Sequence, residues 1–193
     1  MPIRQRLEEI EFEIEKAAKK AGRKREDVIL LGATKTVEPC RIQEAIDAGL
    51  RYIGENRVQE LVDKYESVQG ASWHFIGHLQ TNKVKYIIDK AELIHAVDSA
   101  HLLREIQKQA QKRNRVAHVL LEINASGEES KFGMEFAEAL PVILENEAHE
   151  NVQIDGLMTI GPNTGEIKAV RASFEKMRHL FEELETQKFK NCK

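Results

Sequence analysis

The sequence predicts an α/β fold in which parallel strands are joined by helices. Strand-like segments alternate strictly with helical stripes. The unit recurs roughly every 20–25 residues, near the ~30 of a βαβ unit. Polar residues gather where the strands end, as ligand-binding residues do in parallel α/β folds.

Each element has its own signal. Ile3, Leu7, Ile10, Ile14, Ala17, Ala18 and Ala21 recur at helical spacing, predicting an opening helix that stops near Gly22. The predicted strands are 28–33, 51–54, 74–77, 93–97, 117–123 and 152–158. Pro39 suits a helix's first turn, Ile42, Ala45 and Ile46 form its apolar face, and Gly49 stops it. Val58, Leu61, Val62 and Tyr65 mark the next helix, and Val84, Ile87 and Ile88 a shorter one. Ser99 is a candidate cap for the helix of Leu102, Leu103, Ile106 and Ala110. The stripe Phe136, Leu140, Ile143 and Leu144 contains Pro141, which is expected to kink or shorten that helix. The last stripe is long, running from Ile167 through Phe174 and Met177 to Leu184. No repeat, low-complexity linker or domain boundary interrupts this pattern, so residues 1–193 read as a single domain. A doubly wound open sheet and a (β/α) barrel both remain. The missing GxGxxG after the first strand weakens the dinucleotide-binding form of the former.

Composition narrows the function. The chain has 193 residues, 41% hydrophobic and 32% charged, and a net charge of −3, which gives no basic footprint for nucleic acid. Lys19-Lys20 and Arg113-Asn114-Arg115 read as solvated helix ends. No apolar run approaches the ~18–20 residues that would span a bilayer. The amphipathic N-terminal segment, rich in glutamate, is unlike a secretory signal or transit peptide, which predicts a cytoplasmic protein without a membrane partner. Cys40 and Cys192 do not make a disulfide framework, and no cysteine–histidine set has metal-ligand spacing.

The sharpest residue is Lys35, at the end of "VILLGATKT" (28–36). Strand alternation puts it on one face with Ile29, Leu31 and Ala33. At a pKa near ~10.4, only about one lysine in 2,500 is neutral at pH 7; desolvation or a nearby cation raises that fraction and allows attack on a carbonyl. The structural alternative is a lysine that reaches solvent or pairs with Glu55. Asn56 is a second candidate, as a ligand contact or as the cap of the following helix. His74 reads as a core histidine, and "NASGEESKFG" (124–133) as an anion loop, a lid or a solvated connection. A Schiff-base aldolase, with substrate bound directly to Lys35, is the family-free reading.

Four words in order resemble one family. "WHFIGHLQTNK" (73–83) is similar to the signature of the pyridoxal phosphate homeostasis proteins, and "GENRVQE" (54–60), "NASGEESKFG" and "GLMTI" (156–160) resemble its other segments. The resemblance runs from residue 1 to about 180. It implies a TIM-type barrel like the alanine racemase N-terminal domain, with an extra N-terminal helix and about six of the eight strands. It implies pyridoxal phosphate held as a Schiff base on Lys35, with Asn56 and Met158 lining the cofactor. It also implies a monomer that handles the cofactor without catalytic turnover, so no catalytic residue or metal is assigned. A racemase or decarboxylase on the same scaffold would need a second acid/base, for which His78 is the only loose candidate. Family members continue into segments resembling "SMGMS-x-D" and "VR-(I/V)-G-T", which contact the phosphate and the pyridine nitrogen. Neither segment is present here. The expectations that follow are open edges at the first and sixth strands and weakened or lost cofactor binding.

Overall fold

A computed structural model describes residues 2–128 and 131–192. The chain divides into two compact units, the first running to His74 and the second starting at Phe75.

The first unit opens with α1 (Ile3–Lys20), whose last turn carries Lys19 and Lys20, as helix-dipole electrostatics favours. Strand β1 (Leu31–Ala33) follows, then α2 (Pro39–Asp47), β2 (Tyr52–Glu55) and α3 (Val58–Tyr65). Strands β1 and β2 pair in parallel, with Leu31 opposite Tyr52 and Ala33 opposite Gly54. β1 is shorter than the apolar run predicts. The Arg25 guanidinium takes the Val28 carbonyl and also pairs with Glu11, so that carbonyl is satisfied before the strand begins. Pro39 opens α2 as expected, and Gly49 follows its end at φ +122°. Ile42, Ile46, Ile53, Leu61 and Trp73 are buried.

β3 (Ser72–Phe75) lies at the division. It starts earlier than its sequence suggests because the Ser72 N–H donates to the Arg51 carbonyl at 2.8 Å. His74 is buried and meets Tyr52 edge-on at 5.5 Å, in agreement with the core reading.

The second unit continues with α4 (Val84–Ile87), β4 (Leu93–Val97), α5 (Ala100–Lys112), β5 (Ala117–Glu122), α6 (Phe136–Asn146), β6 (Val152–Met158) and α7 (Ile167–Glu185). β4 pairs with β5, and β5 with β6, all in parallel. Ser99 caps α5 by accepting the Leu102 N–H at 3.3 Å. α6 runs for 11 residues across Pro141, which therefore does not shorten it.

The expected open edge of β6 is corrected at Ile154. Its N–H donates to the Asn191 carbonyl at 3.0 Å, and it bridges to Cys192. The terminal segment is anchored by Glu147, whose carboxylate accepts the Lys190 and Asn191 N–H groups at 2.7 and 2.9 Å. Asn191 Nδ2 also donates to the His149 carbonyl just beyond α6, at 2.6 Å. Among the described residues, no helix is long and apolar enough to cross a membrane.

Candidate functional site

Lys35 follows the carboxyl end of β1 inside a tight turn. The Val37 N–H closes this turn on the Thr34 carbonyl at 3.0 Å. Thr36, its third residue, has φ +60°, a left-handed conformation that turns of this kind usually give to glycine or asparagine. Lys35 is exposed, as are Ala33 and Ile29, while Thr34 on the opposite face is buried. Exposure thus separates Ala33 and Lys35 from Thr34, but Leu31 and Gly32 are equally half-buried and Lys35 lies beyond the strand, so the predicted alternation does not extend along all of β1. Among the described residues, no group hydrogen-bonds or ion-pairs with the Lys35 side chain.

The Lys35–Glu55 pairing considered from the sequence does not form. Glu55 is fully buried, and its Oε1 accepts the Lys64 ammonium at 2.8 Å and the Thr34 hydroxyl at 2.8 Å. Lys64 spends its other two donors on the Thr34 carbonyl at 3.0 Å and Glu60 Oε2 at 2.9 Å. Burial lowers the Lys64 pKa, but the bonds to Glu55 and Glu60 outweigh it, leaving the pKa raised. Glu60 Oε2 also accepts the Thr36 N–H at 2.8 Å. That bond, then Lys64, holds the Glu60 carboxyl below its ordinary range.

Asn56 follows β2 directly. It is not the cap of α3, because Arg57 occupies that position and makes no side-chain cap bond. Asn56 Oδ1 is buried without a hydrogen-bond partner, a cost a native structure rarely carries without a reason. Lys35 and Asn56 thus lie just past the carboxyl ends of two paired strands of one unit.

The second unit has its own strand-end cluster. Met158 closes β6, half-buried and opposite Glu122 in the β5 ladder. His78 Nδ1 lies 3.1 Å from Asp98 Oδ2, and its ring stacks on Phe132 at 3.9 Å with 13° between the planes. Asp98 Oδ1 accepts the Ser99 hydroxyl at 3.1 Å. Glu122 is 4% exposed. Burial, then the charge of Asp98, pushes its carboxyl up to about 7.

Glu129 and Ser130 of the "NASGEESKFG" segment lie outside the described residues. The rest is organised by Asn124. Its Oδ1 accepts the Ser126 hydroxyl at 2.9 Å and the Gly127 N–H at 3.1 Å, and its Nδ2 donates to the Glu128 carbonyl at 3.0 Å. Lys131 reaches Glu128 at 2.9 Å and the Gly161 carbonyl at 2.7 Å. Gly133 has φ +114°, and a Cβ there would stand 2.6 Å from the Asn124 nitrogen. A Gly133→Ala variant should lose about 2 kcal/mol from its left-handed backbone and this clash. Urea denaturation checks it, and an unchanged midpoint counts against the clash.

Comparison with known proteins identifies the scaffold. The family model described as "Alanine racemase, N-terminal domain" matches residues 6–193. A pyridoxal phosphate homeostasis protein of Aquifex aeolicus is 46% identical over 186 residues, covering 95% of this chain and 81% of the relative. The chain belongs to the pyridoxal phosphate homeostasis protein family. The fold is accordingly the α/β barrel type of the alanine racemase N-terminal domain, with six strands among the described residues and the N-terminal helix α1. A solved structure from Bifidobacterium adolescentis superposes with a TM-score of 0.91 at 33% identity, covering 98% of this chain and 82% of that one. PipY of Synechococcus elongatus, solved with PLP bound, gives 0.75 at 29% identity, covering 82% of this family member and 76% of PipY.

The sequence missed Glu60, Lys64 and Glu122, and placed Asp98 only as one of the polar residues at the strand ends. The first two are visible only as an i, i+4 pair on α3, which elsewhere is an ordinary surface feature. Glu122 left a signal: it is a carboxylate on a strand otherwise rich in valine and leucine.

Proposed function

We propose that this protein binds pyridoxal phosphate covalently through Lys35 and serves as a cofactor carrier in pyridoxal phosphate homeostasis. The observation that carries the reading is Lys35 itself, an exposed amine without a partner among the described residues, on a braced turn at a strand's carboxyl end. Membership in the family and the PLP-bound structure of PipY support the same ligand. Pyridoxal phosphate supplies an aldehyde that condenses with a primary amine, releasing one water.

In the first unit, the residues present fit that group. Lys35 offers the amine. Asn56 offers a polar atom whose hydrogen bonding is unmet. Turnover would need a separate acid/base near the reacting carbon. Membership in the pyridoxal phosphate homeostasis family, rather than the Asp98 contact of His78, favours a carrier over a racemase or decarboxylase.

Titration with pyridoxal phosphate should produce a near-visible absorbance band that borohydride fixes, with the added mass on the Lys35 peptide. Lys35→Ala should abolish the band. A Lys35→Ala protein that keeps it would sink the assignment.

A further inference from the structure

Thr36 is a β-branched residue in a left-handed conformation, which costs about 1–2 kcal/mol. It persists only if its surroundings hold it. The Thr36 N–H donates to Glu60 Oε2, which also accepts from Lys64. Lys64 simultaneously holds the Thr34 carbonyl, and the buried Glu55 anchors both the Thr34 hydroxyl and Lys64. The peptide groups on both sides of Lys35 are therefore tied to one ammonium, while the Lys35 side chain takes no part.

We propose that Glu60 is a positioning residue: with Lys64 it clamps the turn that presents Lys35, and so controls capture of pyridoxal phosphate there. This rests on the Lys35 reading above. Glu60 touches the backbone beside the amine and acts through it. Its bond to Thr36 is charge-assisted, the stronger class of hydrogen bond.

The test measures how fast Lys35 is captured during brief exposure to pyridoxal phosphate. The adduct is fixed with borohydride and located by peptide mass spectrometry, with Lys85 as an internal control. Glu60→Ala should slow capture at Lys35 by about tenfold, as expected for losing one charge-assisted bond, and leave Lys85 unchanged. Exchange of the Thr36 amide hydrogen should accelerate. Glu60→Gln keeps an acceptor oxygen and should recover part of the rate. Thr36→Gly in the Glu60→Ala background should also recover it, because glycine adopts the left-handed turn without help. A merely structural role for Glu60 would not be rescued this way.

Wild-type capture in Glu60→Ala overturns the clamp, as does a slow Glu60→Ala that Thr36→Gly fails to restore. Absence of selective capture at Lys35 in the unaltered protein is a different failure. It removes the carrier reading, and this inference with it.

Discussion

Replacing Lys64 with methionine should destabilise the first unit by about 3–5 kcal/mol, the usual result of stripping one partner from a buried ion pair. Glu55 is 0% exposed and the Lys64 side chain 11% exposed, so little solvent can take over the lost contacts. Glu55 Oε1 would keep only the Thr34 hydroxyl, and Oε2 already lacks a partner. The Thr34 carbonyl would lose the same donor. Methionine keeps most of the aliphatic stem, so the variant tests the charge rather than the packing. Glu55→Gln combined with Lys64→Met should recover a substantial part of the loss, because no buried charge is then left uncompensated. Urea denaturation, with amide exchange followed in β2 and α3, reads the effect. A loss below about 1 kcal/mol would show that Glu55 does not depend on Lys64.

What was legible in the sequence follows the range of the interactions. Ser99 before an apolar stripe and Pro39 at a first turn are local signals, and both fix helix starts where expected. The alternation that sets Lys35 apart from Thr34 is equally local. The brace on the Lys35 turn is not, since Lys64 bonds to groups 9 and 30 positions away. Nor does Thr36 announce a left-handed turn as glycine would. The reading of Asn56 as a helix cap failed because the chain enters α3 one residue later, at Arg57. β6 is the terminal strand of its sheet, as expected, and its cover at Ile154 was not legible because Asn191 and Cys192 carry no strand periodicity. A backbone bridge, the Glu147 carboxylate and the Asn191 bond to the His149 carbonyl hold them there.

Stability of the second unit should fall between about pH 4.5 and pH 7 because of Glu122. Burial, then Asp98, raises its pKa from an ordinary value of 4.5 to about 7. The folded protein therefore binds this proton more tightly than the unfolded chain, and raising the pH through that window favours unfolding. The full benefit is present below pH 4.5 and is lost as pH passes about 7, a difference of about 3–4 kcal/mol at ~1.4 kcal/mol per pKa unit. Among the described residues no side chain donates to the Glu122 carboxyl, which is why burial dominates. Glu105, Glu145 and Glu147 run the other way. Their pKa values are lowered, by bonds from Gln109, from Arg104 and from the Asn191 and Lys190 N–H groups respectively. Their contributions are present above the ordinary carboxylate range and disappear only as pH falls below it, so they leave the Glu122 window largely clear. Glu122→Gln removes the titrating group and keeps its shape. The variant should be more stable than the unaltered protein at pH 8, and the two should converge near pH 4.5. Equal pH profiles for the two proteins, in urea denaturation from pH 5 to 8, would mean that Glu122 is solvated and that its burial beside Asp98 carries no cost.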